Sequence, residues 1–126
     1  MKALSVKQPW ASLIASGKKT IETRTWRTFY RGPLLIVASR KPIISLGPGG
    51  VHLIGMVAGH KVLPSGVAVC RCELINVRPK KKDDDEVAAC CGFYDGAYAW
   101  VLGDIRITHH FMVRGKPGLY DVDVTF

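Results

Sequence analysis

Gly17-Lys18-Lys19-Thr20-Ile21-Glu22-Thr23-Arg24 is the stretch on which the reading of this chain turns. Before it, Trp10, Leu13 and Ile14 recur at helical spacing, and Pro9 suits a first helical turn, where its missing N–H would have had no partner. Gly17 lets the backbone reverse after that short helix. A strand is then expected through Trp26, with Thr20, Glu22, Arg24 and Trp26 on one face and Ile21, Thr23 and Thr25 on the other. Glu22 and Arg24 would stand side by side. Lys18 and Lys19, at the hinge, can aim their ammonium groups across whatever the strand lines.

Working outward, Lys2 to Lys7 reads as a short opening strand. Tyr30-Arg31-Gly32-Pro33 reads as a turn into a buried strand, Leu34 to Ser39. From Arg40 to Pro64 the pattern weakens around Gly47-Pro48-Gly49-Gly50, and a loop is expected; no phosphate-loop spacing occurs there. Val67 to Val77 is long and β-branched, a strand able to carry a bulge. Asp83 and Glu86 are spaced as a capping box opening a helix after Lys80-Lys81-Lys82. Ala97 to Leu102 and Arg106 to Thr108 read as strand segments broken at Gly103-Asp104, and Gly115 to Gly118 as a turn before a last strand, Tyr120 to Thr125. Many short strands with few helices point to a small closed barrel.

At 126 residues, 48% of them hydrophobic, the chain suits a single domain able to bury roughly two-thirds of its unfolded surface. The longest wholly apolar runs, Leu34 to Ala38 and Val87 to Cys91, fall far short of the ~20 residues that span a bilayer. Gln8-Pro9 interrupts the apolar residues after Lys2, which argues against a secretory signal. The expected setting is intracellular and cytoplasmic, without membrane contact. Cys70, Cys72, Cys90 and Cys91 form a C-x-C and a C-C pair that match neither a zinc knuckle nor a spaced disulfide framework, so reduced, mostly buried thiols are expected. His109 and His110 would point to opposite faces of a strand. No metal or cofactor is expected.

Charge is distributed unevenly. Residues 1–41 hold nine basic side chains against the single acid Glu22, which equals the whole net charge of +8, while the rest of the chain balances nine against nine. Such regional excess suits a surface that meets a polyanion, since each cation that neutralises a phosphate releases a counterion.

Three pieces together carry a family resemblance: Ser5-Val6-Lys7-Gln8-Pro9-Trp10-Ala11, then Gly17-x-Lys19-x-x-Glu22-x-Arg24-x-Trp26, then Arg31-Gly32. They resemble the ASCH (activating signal cointegrator homology) domain, with its signature G-x-K-x-x-E-x-R. Cys72-Glu73-Leu74, Tyr98-Ala99-Trp100 and Gly115-Lys116-Pro117-Gly118-Leu119 fall where such domains have their later strands and closing turn. The resemblance implies an α+β, mainly β fold: a PUA-like β-barrel of about five or six strands flanked by short helices. It also implies a cleft beside the barrel holding Lys19, Glu22 and Arg24, with Trp10 or Trp26 nearby, in a family related to RNA-binding domains.

Two classes of function follow. In a binding module, RNA, another nucleic acid or a nucleotide-like small molecule occupies a basic cleft. Lys18, Lys19, Arg27 and Arg31 hold phosphates, Trp26 or Tyr30 stacks on an unpaired base, and Glu22 accepts a base N–H. In a small hydrolase acting on RNA or modified nucleosides, Lys19 is nucleophile or base and Glu22 moves the proton. Small ASCH amidohydrolases use a lysine, a threonine and a glutamate, the threonine three residues after the lysine. Glu22 stands at that position here and offers no hydroxyl, which leaves a metal-free ribonuclease as the enzymatic alternative. A purely structural role for Glu22 and Arg24, as an ion pair fixing the strand, is the third possibility.

Overall fold

A computed structural model describes residues 1–40, 63–92 and 94–126. In chain order it contains β1 (Lys2–Val6), α1 (Trp10–Ala15), β2 (Ile21–Arg24), β3 (Gly32–Ala38), β4 (Val67–Pro79), α2 (Asp84–Ala89), β5 (Tyr98–Ile107) and β6 (Leu119–Asp121). The strands form one curled half-barrel in the order β2-β5-β4-β3-β1-β6. Among the described strands only β1 and β3 pair in parallel; every other neighbouring pair is antiparallel. The loop expected over Arg40 to Pro64 falls mostly on residues 41–62, outside the described residues.

β3 shows why this sheet curls around a core. Leu34, Ile36 and Ala38 alternate with Leu35 and Val37, and all five are buried. A strand buried on both faces reads as a continuous apolar run. Leu34, Ile36 and Ala38 join Leu4, Val6, Leu74, Trp100 and the α1 residues Ala11 and Ile14 in the main core. Leu35 and Val37 look the other way, onto Ala3, Ala68, Val113 and Tyr120. α1 therefore sits in the concavity of the sheet. The buried Gln8 side chain anchors its start, accepting from the Ser12 N–H at 3.0 Å and donating to the Ser12 hydroxyl at 2.8 Å.

Several expectations shift. β2 ends at Arg24, so Trp26 lies past the strand in a bend, and its ring meets Trp100 edge-on at 4.7 Å. β5 runs unbroken through Gly103-Asp104, because register shifts against β4 absorb the irregularity and the Ile75 side chain fills the space above Gly103. The final strand is only Leu119–Asp121; beyond it Val122 donates its N–H to the Met1 carbonyl, and Val122 and Val124 pack on the outer cluster. The capping box does not form: Asp83 adopts a φ of 63° and its side chain makes no cap bond. Instead Asp85 receives both Arg78 nitrogens, at 2.6 and 2.9 Å, and the Lys81 N–H at 2.6 Å. No helix among the described residues is long and apolar enough to cross a membrane.

Candidate functional site

β2 is an edge strand whose two faces have different surroundings. Ile21 and Thr23 stand opposite Val101 and Ala99 of β5, and that face is covered by α2, with Ile21, Ala89 and Ala99 forming a small buried cluster. Glu22 and Arg24 stand opposite Trp100 and Tyr98, on the concave face. The alternation read from the sequence thus sets two charged residues against the apolar core, at the end of the sheet where a cleft opens.

That cleft has a volume of about 900 Å³, and Lys19, Glu22 and Arg24 all line it. Lys19 is 1% exposed and Glu22 7%. Lys19 Nζ donates to the Ala89 carbonyl at the end of α2 and lies 3.4 Å from Glu22 Oε1. Arg24 donates through NH2 to Glu22 Oε2 at 2.9 Å and to the Ser5 carbonyl at 2.7 Å. The Thr23 N–H adds a bond to Glu22 Oε1 at 3.1 Å. Glu22 is therefore a carboxylate clamped between two cations and a backbone amide, which tie β2 to β1 and to α2.

Of the remaining residues singled out from the sequence, Trp10 lines the cleft, and its indole nitrogen is buried without a partner among the described residues. The others lie outside the cleft lining, for identifiable reasons. Trp26 is turned onto Trp100, whose Nε1 donates to the Trp26 carbonyl at 3.2 Å. The Tyr30 hydroxyl donates to the Pro33 carbonyl. Arg31 donates to the carbonyls of Thr28 and Tyr30 at 2.8 and 2.9 Å. Arg27 is exposed, its guanidinium over the Phe29 ring. Lys18 is exposed in the turn after α1.

The lining also holds residues that sequence reading did not single out as a group: Lys7, Arg40, Tyr94, Arg114 and Lys116. With Lys19 and Arg24, the described lining carries six cationic side chains and one carboxylate, Glu22. Burial pushes the Tyr94 phenol up, and the neighbouring Cys91 and Glu22 push it the same way. Lys80, only 5% exposed, donates to the Gly92 carbonyl and the Thr23 hydroxyl, both at 2.9 Å. All four cysteines are free thiols; Cys70 and Cys72 are buried, and burial pushes the Cys72 thiol up to about 12, with Glu73 adding to the effect. Among the described residues no three of His, Cys, Asp and Glu gather in a group suited to a metal ion.

Against known proteins, the chain is similar to "Activating signal cointegrator 1" of Homo sapiens and of Mus musculus, each 26% identical over 132 aligned residues. These alignments take in 95% of this chain, which spans only 22% of the length of those relatives. Among solved structures it resembles a crystal structure of ASCH from Zymomonas mobilis, with a TM-score of 0.66 at 15% identity over 96% of this chain and 86% of that one. Two mutant forms of that protein give TM-scores of 0.61 and 0.60 at 14% identity, over 96% of this chain and 88% and 87% of theirs. At such identities the likeness carries the fold alone, and the curled, mostly stranded sheet is consistent with the PUA-like architecture. The ASCH domain model matches residues 4–109, well over half the chain, and the chain belongs to the ASCH domain family.

Proposed function

We propose that this chain binds RNA, or a nucleotide-like ligand, in the cleft lined by Glu22 and Arg24. The observation that carries this reading is the hydrogen-bonding state of Arg24. Its NH2 is committed to Ser5 and Glu22, while among the described residues the buried Nε has no partner and NH1 has none either. A buried donor without an acceptor is costly, so a ligand that brings acceptors is favoured there. Glu22 holds Arg24 in place and keeps lone-pair capacity for a ligand N–H. An unpaired base offers donors and acceptors along its edges, and its face suits aromatic side chains. Trp10 and Tyr94 are the aromatic members of the lining, and stacking of this kind contributes ~1–3 kcal/mol per base. A cytoplasmic setting is part of the same proposal.

The enzymatic alternative, a hydrolase using Lys19 and Glu22, needs a lysine amine free to attack or to take a proton. Lys19 is held by the Ala89 carbonyl and the Glu22 carboxylate and is 1% exposed, which favours a structural part for it. The test is to incubate purified protein with labelled single-stranded RNA in EDTA, assaying retention and cleavage together at low and moderate salt. Intact RNA, retained less as salt rises, is the expected result. Products that disappear with Lys19→Met would overturn the reading in favour of a metal-free nuclease.

A further inference from the structure

We infer that the mouth of this cleft is a phosphate site built by Lys7, Arg40, Arg114 and Lys116, so that the ligand is a phosphate-bearing nucleotide or RNA strand and not a free nucleoside. The inference rests on the reading of the cleft as a nucleotide site and assigns its charged half.

The four cations come from three segments that the fold brings together. Parallel pairing sets Val6 beside Ala38, and the Ser39 N–H donates to the Val6 carbonyl at 2.9 Å, so Lys7 and Arg40 leave the same end of adjacent strands. The third segment is held by Gly66 and Ser5. Gly66 donates its N–H to the Ala38 carbonyl at 2.7 Å and accepts from the Val113 N–H at 3.1 Å. At φ +68°, and with no side chain, it also leaves room for the Arg40 side chain, which a Cβ there would overlap. Gly115 packs so closely on Ser5 that a Cβ would stand 3.0 Å from the Ser5 hydroxyl oxygen, and its flanking residues are Arg114 and Lys116. Ser5 itself links this rim to the floor, since its carbonyl accepts from Arg24 at 2.7 Å.

All four side chains line the cleft and are exposed, and none makes an ion pair or hydrogen bond among the described residues. The carboxylate of the lining, Glu22, is already matched to Lys19 and Arg24. Like charges gathered without a counter-charge raise the local potential, which a phosphate group relieves with release of its counterions. A nucleoside offers the floor its base but nothing to the rim.

The test measures binding of a labelled single-stranded RNA across a salt series for the wild type, Arg114→Gln/Lys116→Gln, Lys7→Gln/Arg40→Gln, and the control Arg106→Gln, exposed and outside the cleft. Each double variant is expected to bind about tenfold more weakly at moderate salt and to lose about 1.4 from the salt slope with an unchanged melting midpoint, while the control binds as the wild type does. In competition, a nucleoside 5′-monophosphate should displace the RNA at a concentration at least about tenfold below that of the matching nucleoside, and inorganic phosphate should not match it. Wild-type binding with slopes unaffected in both double variants overturns the rim and leaves the cleft reading standing. A wild type that retains no RNA at low salt overturns both. Displacement by inorganic phosphate as effective as by the nucleotide overturns the nucleotide assignment.

Discussion

Lys19 and Glu22 form an ion pair inside the protein, Nζ to Oε1 at 3.4 Å, with side-chain exposures of 1% and 9%. The pair does more than neutralise charge. Through Lys19 it reaches the Ala89 carbonyl where α2 ends, and through Glu22 it reaches Arg24 and then the Ser5 carbonyl of β1. A cation at a helix C-terminus meets the negative end of the helix and carbonyls left without N–H partners. Lys19, Glu22 and Arg24 thus brace the cleft wall from α2 to β1.

Glu22→Ala is expected to destabilise the fold by about 3 kcal/mol, because it leaves the Lys19 ammonium buried without its carboxylate. Glu22→Gln keeps an acceptor and the volume, and should cost less, about 1–2 kcal/mol. Urea unfolding of the two variants beside the wild type measures both. A Gln variant as stable as the wild type would mean that the charge of Glu22 does not hold Lys19.

Asp85 predicts an acid-sensitive element. Hydrogen bonds from Arg78 hold its carboxyl down to about 2, from an ordinary value of 3.8, with the Lys81 N–H assisting. A group whose folded value is depressed stabilises fully above its unfolded value and loses that contribution as pH falls through the folded one. The loss should therefore fall between about pH 4 and pH 2. Arg78 is 31% exposed and screened by solvent, so the expected contribution at neutral pH is about 1 kcal/mol. Melting midpoints across that pH range should fall more steeply for the wild type than for Asp85→Asn.

Trp100→Phe should lower stability by about 2 kcal/mol. The residue is fully buried, and the change removes both the Nε1 bond to the Trp26 carbonyl and part of the edge contact with the Trp26 ring. Tryptophan fluorescence would report the rearrangement, and denaturant titration its cost. An unchanged midpoint would mean that the bend after β2 is not held by this contact.

Residues whose neighbours are local were legible from the sequence, and residues gathered by topology were not. Gly17, at φ +82°, ends α1 as its position indicated, and the period-2 pattern placed Glu22 and Arg24 together because that relation needs only the strand itself. The same pattern carried the strand two residues too far: β2 ends at Arg24, and Trp26, past the bend, packs on Trp100, the residue opposite Glu22. Asp83 and Glu86 had capping-box spacing, but spacing does not fix the backbone angle, and Arg78 drew Asp85 into the anchoring role instead. The basic rim was hidden for a different reason. Lys7 and Arg40 lie in the basic first third, whereas Arg114 and Lys116 come from a charge-balanced region more than seventy residues on, and the bond from Val113 to Gly66 and the seating of Gly115 on Ser5 make them neighbours.

RNA binding in the cleft is tested by a backbone-amide NMR titration of the protein with a short single-stranded oligoribonucleotide at low salt. Binding in the cleft predicts shifts concentrated at Thr23, Arg24, Tyr94 and Gly115, along its lining. Shifts confined to the segment from Arg27 to Arg31, with the cleft amides unmoved, would contradict it.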